Sequence, residues 1–98
     1  MTIPNNHTSI TGKVHGSPLV REIAPGRAVA RFTLATQEDG ATSYHTVVAW
    51  GRMATQVRDR IEAGDTVFVS GRMVQRTYTS RHGASRSITE IVASEVNH

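Results

Sequence analysis

Three of the five aromatic side chains, Tyr44, Trp50 and Tyr78, each lie near an arginine or at alternating positions of a strand-like segment. Residues 43–52 read S-Y-H-T-V-V-A-W-G-R, and residues 66–79 read T-V-F-V-S-G-R-M-V-Q-R-T-Y-T. Aromatic rings stack on nucleobases, and the planar head of arginine binds phosphate in a fork and also stacks on bases. The combination therefore indicates a surface that binds nucleic acid, with no reaction performed.

The composition allows one domain with a modest core. The chain has 98 residues and a net charge of +3, from eleven basic and eight acidic residues. Lys13 is the only lysine among the eleven, and this excess of arginine is typical of a phosphate-binding surface and equally of a GC-rich genome. Because the chain has no cysteine, disulfides, thiolate catalysis and cysteine-based zinc sites are excluded.

No catalytic or metal site is indicated. The five histidines, at positions 7, 15, 45, 82 and 98, do not pair at metal-ligand spacing. The sequence contains neither a nucleophile elbow nor a glycine-rich phosphate loop, so we expect no enzyme activity, no cofactor and no metal. It also has no apolar run that could span a membrane and no secretory signal, which predicts a cytoplasmic protein.

Side-chain alternation predicts an all-β chain with one helix. The predicted strands are residues 9–15 with a continuation at 19–23, then 28–36, 43–50, 66–79 and 86–96. Residues 37–42 form a polar hairpin loop, and apolar residues of the fifth strand fall on both of its faces. Residues 52–63 are predicted as a helix that Gly64 ends as a left-handed cap, and Gly71 marks a bulge or a bend.

Five strands with a short helix between the third and fourth are the order of the OB-fold, a five-stranded Greek-key barrel that often binds oligonucleotides. We predict a flexible N-terminus at residues 1–7 and a single domain at residues 8–97. If strands 2 and 3 pair, and strands 1 and 4, alternating side chains line one curved groove. These side chains include Arg31, Thr33, Tyr44, Thr46, Trp50, Arg72, Arg76 and Tyr78.

The chain resembles the bacterial single-stranded DNA-binding protein family over roughly residues 8 to 93. The similar segments, in order, are G-R-A-V-A-R-F-T-L-A-T (26–36), Y-H-T-V-V-A-W-G-R (44–52), A-G-D-T-V-F-V-S-G-R (63–72), and R-T-Y-T-x-x-H-G with R-x-I-T-E-I-V (76–92). Each segment alone is a weak signal, whereas all four at similar spacing are a strong one.

The resemblance implies roles for individual residues. Tyr44, Trp50 and Tyr78 stand at positions where the family has base-stacking rings, and each keeps an aromatic face. Arg72, Arg76 and Arg86 match positions that follow the nucleic-acid backbone. The family is usually tetrameric, with a dimer built by pairing of first strands, which makes Ile10, Gly12 and Val14 the predicted contact edge. His45 matches a histidine that lies toward subunit contacts in the family, so it is a further predicted oligomer contact.

Two departures from the family pattern are visible. The loop between strands two and three is short and lacks a further stacking tryptophan. The chain also ends at His98, soon after the fifth strand, without the family's flexible tail and its acidic tip. Recruitment of partner enzymes through such a tail is therefore not expected. A truncated chain and a natural tailless relative would both account for this ending.

Three functions remain open from the sequence. The first is a sequence-independent single-stranded DNA-binding protein, nucleoid-associated, that protects DNA in replication, recombination or repair. It would act as a homo-oligomer, a tetramer or a dimer, and RNA binding is possible because stacking does not read the sugar. The second is a dimeric primosome-type accessory protein that hands DNA between partners. The third is a protein-interaction OB module without nucleic-acid binding.

Overall fold

Alternating apolar and polar residues build five strands around one buried core. The computed structural model describes residues 7–98, without the side chains of Tyr78 and Arg86. The strands are β1 (His7–Ala24), β2 (Arg27–Glu38), β3 (Ala41–Trp50), β4 (Thr66–Thr79) and β5 (Ser85–Asn97), and one helix, α1 (Arg52–Arg60), lies between β3 and β4. Residues 1–6, most of the predicted flexible N-terminus, lie outside the described residues, and His7 begins β1.

The strands close into a barrel in the order β1-β2-β3-β5-β4. All pairs are antiparallel except β3 with β5, which run parallel. The long β1 strand closes the barrel because its residues 7–13 pair with β4 and its residues 13–24 pair with β2. The predicted pairings of strands 2 and 3 and of strands 1 and 4 are present, and the all-β OB-fold is confirmed.

One face of each strand fills the barrel interior, and α1 covers one end. The fully buried side chains with the largest volumes are Leu34, Val47, Val57, Val67 and Val69. Val57 belongs to α1, whose Ala54 is buried as well. The apolar side of the predicted helix thus seals this end of the core.

The helix ends three residues earlier than predicted, and Gly64 is not its cap. Ile61 takes an extended conformation (φ −115°, ψ 127°), which turns its side chain into the core. The carboxylate of Asp65 then accepts a hydrogen bond from the backbone N–H of Glu62. Burial of the Ile61 side chain is therefore favoured over continuation of the helix. Gly64, with φ +91°, lies in the turn that follows.

The β2–β3 loop is shorter, and the first strand is more continuous, than the sequence predicted. The loop between β2 and β3 shortens to a turn at Asp39 and Gly40, both with positive φ, because Glu38 pairs directly with Ala41. An Asp-Gly pair favours this kind of two-residue hairpin turn. The two predicted segments of the first strand are one continuous strand with a register irregularity between His15 and Leu19.

The predicted bulge beside Gly71 is present, with the extra residue on the partner strand. Gly71 pairs with Ala93 and Ser70 pairs with Glu95, so Ser94 is inserted in β5. A Cβ atom on Gly71 would clash with the backbone carbonyl oxygen of Val92, so this approach requires glycine. The bulge also changes the parity of β5, which explains why its apolar residues fell on both faces in the sequence.

The β4 and β5 strands extend beyond the barrel as a two-stranded arm, residues 75–89. There they pair only with each other, since the last described pair between β3 and β5 joins Thr46 to Glu90. The described side chains of the arm are exposed, except for half-buried Ser80. Among the described residues, no helix is long and apolar enough to span a membrane.

Candidate nucleic-acid interface

Strand register brings the sequence-predicted residues onto one outer surface of the barrel. Thr33 pairs with Thr46, Thr46 with Glu90, and Glu90 with Val74. A neighbouring row joins Arg31, Val48, Val92 and Arg72 by the same pairings. We call this surface the arginine–aromatic face: Arg31, Thr33, Tyr44, Thr46, Val48, Trp50, Arg72, Val74, Arg76, Glu90 and Val92.

The two described aromatic rings of the face lie six positions apart on β3. Tyr44 is 60% exposed and Trp50 is 46% exposed, while Val47 and Ala49 on the other side of the strand are fully buried. Six residues of strand separate the two rings by about 20 Å. Because the core fixes the strand from below, both rings are held at set positions with a free surface above them.

Tyr44 has a ring neighbour that the sequence analysis missed. The His15 ring of β1 lies 5.0 Å from the Tyr44 ring between centroids, tilted by 58°. Val14, the residue next to His15, is buried in the core, and because adjacent strand side chains point to opposite faces, His15 faces outward. The signal was in the sequence, where His15 shares the polar side of β1 with Lys13.

The last strand pair carries the remaining predicted contacts. Tyr78 and Arg86 pair with each other in the arm, and their side chains are outside the described part of the structure. Arg72 is exposed, in the barrel part of β4. The Thr33 and Thr46 side chains are half-buried near the middle of the face.

Arg31 and Arg76 converge on an acidic residue that was not predicted as part of the site. An Arg31 Nη1 atom lies 3.0 Å from Oε2 of Glu90, and an Arg76 Nη1 atom lies 3.5 Å from Oε1. Glu90 is only 3% exposed. Its signal in the sequence was a single acidic residue inside the apolar strand segment I-T-E-I-V.

The predicted oligomer residues lie on or near the inner side of the barrel. Gly12 and Val14 are buried, and Ile10 packs partly against the core. His45 is half-buried on the side of β3 opposite Tyr44, and its Nε2 atom is 3.0 Å from Oγ1 of Thr36. Any contact between copies along β1 would therefore use the strand backbone and its outward side chains.

The described residues offer no site for a metal ion, because no three His, Cys, Asp or Glu side chains among them are grouped suitably. The chemistry available on the arginine–aromatic face is stacking by two exposed rings and hydrogen bonding by exposed guanidinium groups.

Comparison with known proteins agrees with the resemblance seen in the motifs. The sequence model of the single-strand binding protein family matches residues 5–98. A single-stranded DNA-binding protein of Corynebacterium glutamicum is 33% identical to this chain over 107 residues, covering 98% of the chain and 48% of that protein. The resemblance to this family is confirmed.

Two further relatives have similar identities. A single-stranded DNA-binding protein of Bacteroides thetaiotaomicron is 34% identical, over 88% of this chain and 60% of that protein. Single-stranded DNA-binding protein 1 of Chlorobaculum tepidum is 31% identical, over 93% of this chain and 62% of that protein. The chain thus spans about half to three fifths of the length of these curated relatives.

Proposed function

We propose that this chain, which belongs to the single-strand binding protein family, binds single-stranded DNA without sequence preference through the arginine–aromatic face. The observation that carries the proposal is the exposure of Trp50 and Tyr44 on a strand whose other side is sealed in the core. Large rings held in this way lose little freedom when a base stacks on them. The proposed activity is binding, without catalysis.

Stacking and charge would act together. Each base that stacks on an aromatic ring contributes roughly 1–3 kcal/mol, and every base has such a face, so little sequence preference is expected. Duplex DNA hides these faces, which favours single strands. Each phosphate that an arginine neutralises adds a salt-dependent term, with a log–log slope of about −0.7 for single strands. We propose Arg31, Arg72, Arg76 and Arg86 as phosphate contacts, Tyr78 as a third stacking ring, and Thr33 and Thr46 as polar contacts.

A protein of this kind would cover exposed single strands during replication, recombination or repair. Three named relatives carry single-stranded DNA-binding in their names, which supports the choice of DNA as ligand. Stacking alone does not distinguish DNA from RNA, because the 2′-hydroxyl lies on the sugar. A competition between thymidine and uridine oligonucleotides of equal length measures that preference directly.

The test of the proposal is a fluorescence titration with a thymidine oligonucleotide. Trp50 is the single tryptophan of the chain, so the emission has one source. We expect strong quenching by the single strand, weaker binding as salt rises, and little response to a duplex of the same length. Quenching of this kind would place a base against Trp50.

The same titration separates DNA binding from a protein-interaction module. A protein-interaction module would show no quenching, and replacement of Tyr44 and Trp50 by alanine would leave DNA affinity unchanged. A dimeric primosome-type accessory protein would quench as well, and its transfer of DNA to a partner protein needs an assay of its own. An equal response to duplex and single strand would contradict stacking, because paired bases present no free face.

We also propose that copies of the chain associate through β1, as a tetramer or a dimer. Residues 8–11 of β1 pair with β4 along one edge, whereas pairing with β2 starts only at Lys13. In the described part of the chain, no strand pairs with the second edge of residues 8–11. A free strand edge is a template for pairing with another chain.

Sedimentation velocity measures the assembly directly. The chain mass is 10.7 kDa, so a dimer and a tetramer differ clearly in molar mass. A monomer over the whole concentration range that binds DNA would contradict the proposed association while leaving DNA binding intact.

A further inference from the structure

One carboxylate lies in the middle of a surface that is otherwise suited to anions. Glu90 of β5 has Thr46 of β3 on one side and Val74 of β4 on the other. Each carboxylate oxygen of Glu90 contacts a different arginine. Nη1 of Arg31 lies 3.0 Å from Oε2, and Nη1 of Arg76 lies 3.5 Å from Oε1. The two arginines therefore reach the same side chain from opposite sides.

The burial of Glu90 makes these two contacts necessary. A buried charge is costly unless it is paired and hydrogen-bonded, and Glu90 is 3% exposed. The arginine side chains are 49% and 63% exposed, so their outer parts remain in water. Each guanidinium has five N–H donors, and contact with one carboxylate oxygen leaves donors for a further anion.

The cluster of Arg31, Arg76 and Glu90 therefore carries less positive charge than its two arginines alone. Two guanidinium groups and one carboxylate leave a net charge of +1. The cluster borders a depression of about 320 Å³ that is lined by Arg31, Arg76, Thr77, Ile88 and Glu90. A phosphate that enters this depression meets both arginines and, at the same time, the carboxylate that they hold.

We propose that Glu90 limits the affinity of the arginine–aromatic face for single-stranded DNA. It fixes the two guanidinium groups and cancels one of their two charges, so that Arg31 and Arg76 act on phosphates together as about one cation. The inference rests on the proposed function and goes beyond it, because it assigns an acidic residue a role in setting how tightly the strand is held.

Position and charge can be separated by substitution. Glu90→Gln keeps one carbonyl oxygen, which accepts an N–H from one of the two arginines, so part of the positioning persists while the negative charge is removed. A purely structural role predicts weaker or unchanged DNA binding after this change. A charge-limiting role predicts tighter binding and a steeper dependence on salt.

The experiment measures thymidine-oligonucleotide affinity of the wild type and Glu90→Gln across a salt series. We expect the log–log slope of the variant to be steeper by about 0.7, which is one additional phosphate contact on a single strand. Its gain in affinity would then grow about fivefold for each tenfold fall in salt. The slope is the decisive quantity, because a merely structural change would not increase it.

The matched control is Glu95→Gln. Glu95 lies on the same strand, and the nitrogen of the Asn97 side chain donates a hydrogen bond to its Oε2 atom. The substitution removes the same charge from the same strand without touching the cluster around Glu90. We expect the slope of this variant to equal that of the wild type.

A second variant protects the test against misfolding. Glu90→Met fills a similar volume without a polar group, and it removes the same charge; thermal melts identify which variants are folded. A folded variant at position 90 with an unchanged or shallower slope overturns the proposal while the wild type still binds. A wild type that binds no oligonucleotide overturns the proposed function itself, and this inference with it.

Discussion

The barrel part of the arginine–aromatic face and the β4–β5 arm differ in what lies beneath them. The aromatic residues Tyr44 and Trp50 stand on β3, whose inward side chains Val47 and Ala49 are fully buried. The arm, residues 75–89, has two strands that pair only with each other within the described residues 7–98, and its described side chains are exposed apart from half-buried Ser80. One region is a supported platform and the other is an isolated hairpin.

The difference separates two kinds of interaction. Stacking needs a ring at a set position and orientation, and the platform provides this through the packed core. Charge acts over a longer range and tolerates movement, so arginines such as Arg76 are suited to an arm with little packing. Tyr44 lies at the junction, because the parallel register that pairs Thr46 with Glu90 puts it where the arm leaves the barrel.

The largest expected difference is in hydrogen exchange. Local opening free energies range from near zero in weakly packed segments to the global stability in the core, which is about 5 kcal/mol or more. We therefore expect the backbone amides of Val47 and Ala49 to exchange at least about a thousandfold more slowly than those of Thr77 and Ser87. Peptide-resolved or NMR-detected exchange measures this ratio.

Slow exchange throughout the arm would break the comparison. It would show that another surface, such as a second copy of the chain, covers residues 75–89. Repeating the measurement at several protein concentrations distinguishes the two cases, because protection by a second copy increases with concentration.

Stability should be concentrated in the platform. Replacing fully buried Leu34 by alanine removes core contacts and leaves a cavity, so we expect the free energy of unfolding to fall by about 2–5 kcal/mol. The matched change in the arm is Ile88→Ala, at a side chain that is 37% exposed, where we expect a fall below about 1 kcal/mol. Urea denaturation at a fixed protein concentration gives both values.

DNA affinity, in contrast to stability, should depend on the exposed side of the platform. Trp50→Ala removes one stacking surface, and we expect single-stranded DNA affinity to fall by about 1–3 kcal/mol, roughly five- to 150-fold. Trp50→Phe keeps a ring and should retain most of the affinity. Fluorescence anisotropy of a labelled thymidine oligonucleotide serves for both variants, since neither contains tryptophan.

The opposite result would show that Trp50 acts in packing and not in DNA stacking. A loss of stability as large as that of Leu34→Ala, with DNA affinity unchanged, would identify the ring as part of the folded core or of a protein contact. The comparison between platform and arm would then concern packing alone.

Much of this arrangement could be predicted from alternation along the strands. The inward side of β2 alternates regularly, with Ala30, Phe32 and Leu34 buried, so the outward position of Arg31 could be read directly. In β3 the alternation puts Tyr44 and Trp50 on the exposed side, although Val48 between them is buried as well. The order of elements predicted the barrel, and the hairpin loop predicted at residues 37–42 contains the Asp39-Gly40 turn that the structure shows.

The features that escaped prediction depend on contacts between distant residues. The β5 parity was ambiguous because the Ser94 bulge is set by its pairing with β4 across the barrel. The role of Glu90 depends on Arg31 and Arg76, which lie 59 and 14 positions away in the sequence. The helix end was misjudged because burial of Ile61 is a tertiary effect that local propensity does not contain.

The smallest predicted effect concerns Arg72, where the barrel continues into the arm. Arg72 is exposed, and none of the ion pairs among the described residues involves it, so its charge is not shared as those of Arg31 and Arg76 are. We expect Arg72→Gln to make the salt dependence of binding shallower by about 0.7 in log–log slope, the loss of one phosphate contact. Arg60→Gln, an equal charge change on α1, should leave the slope unchanged. If both variants shift the slope equally, net charge rather than the arginine–aromatic face controls binding, and the distinction between platform and arm loses its electrostatic part.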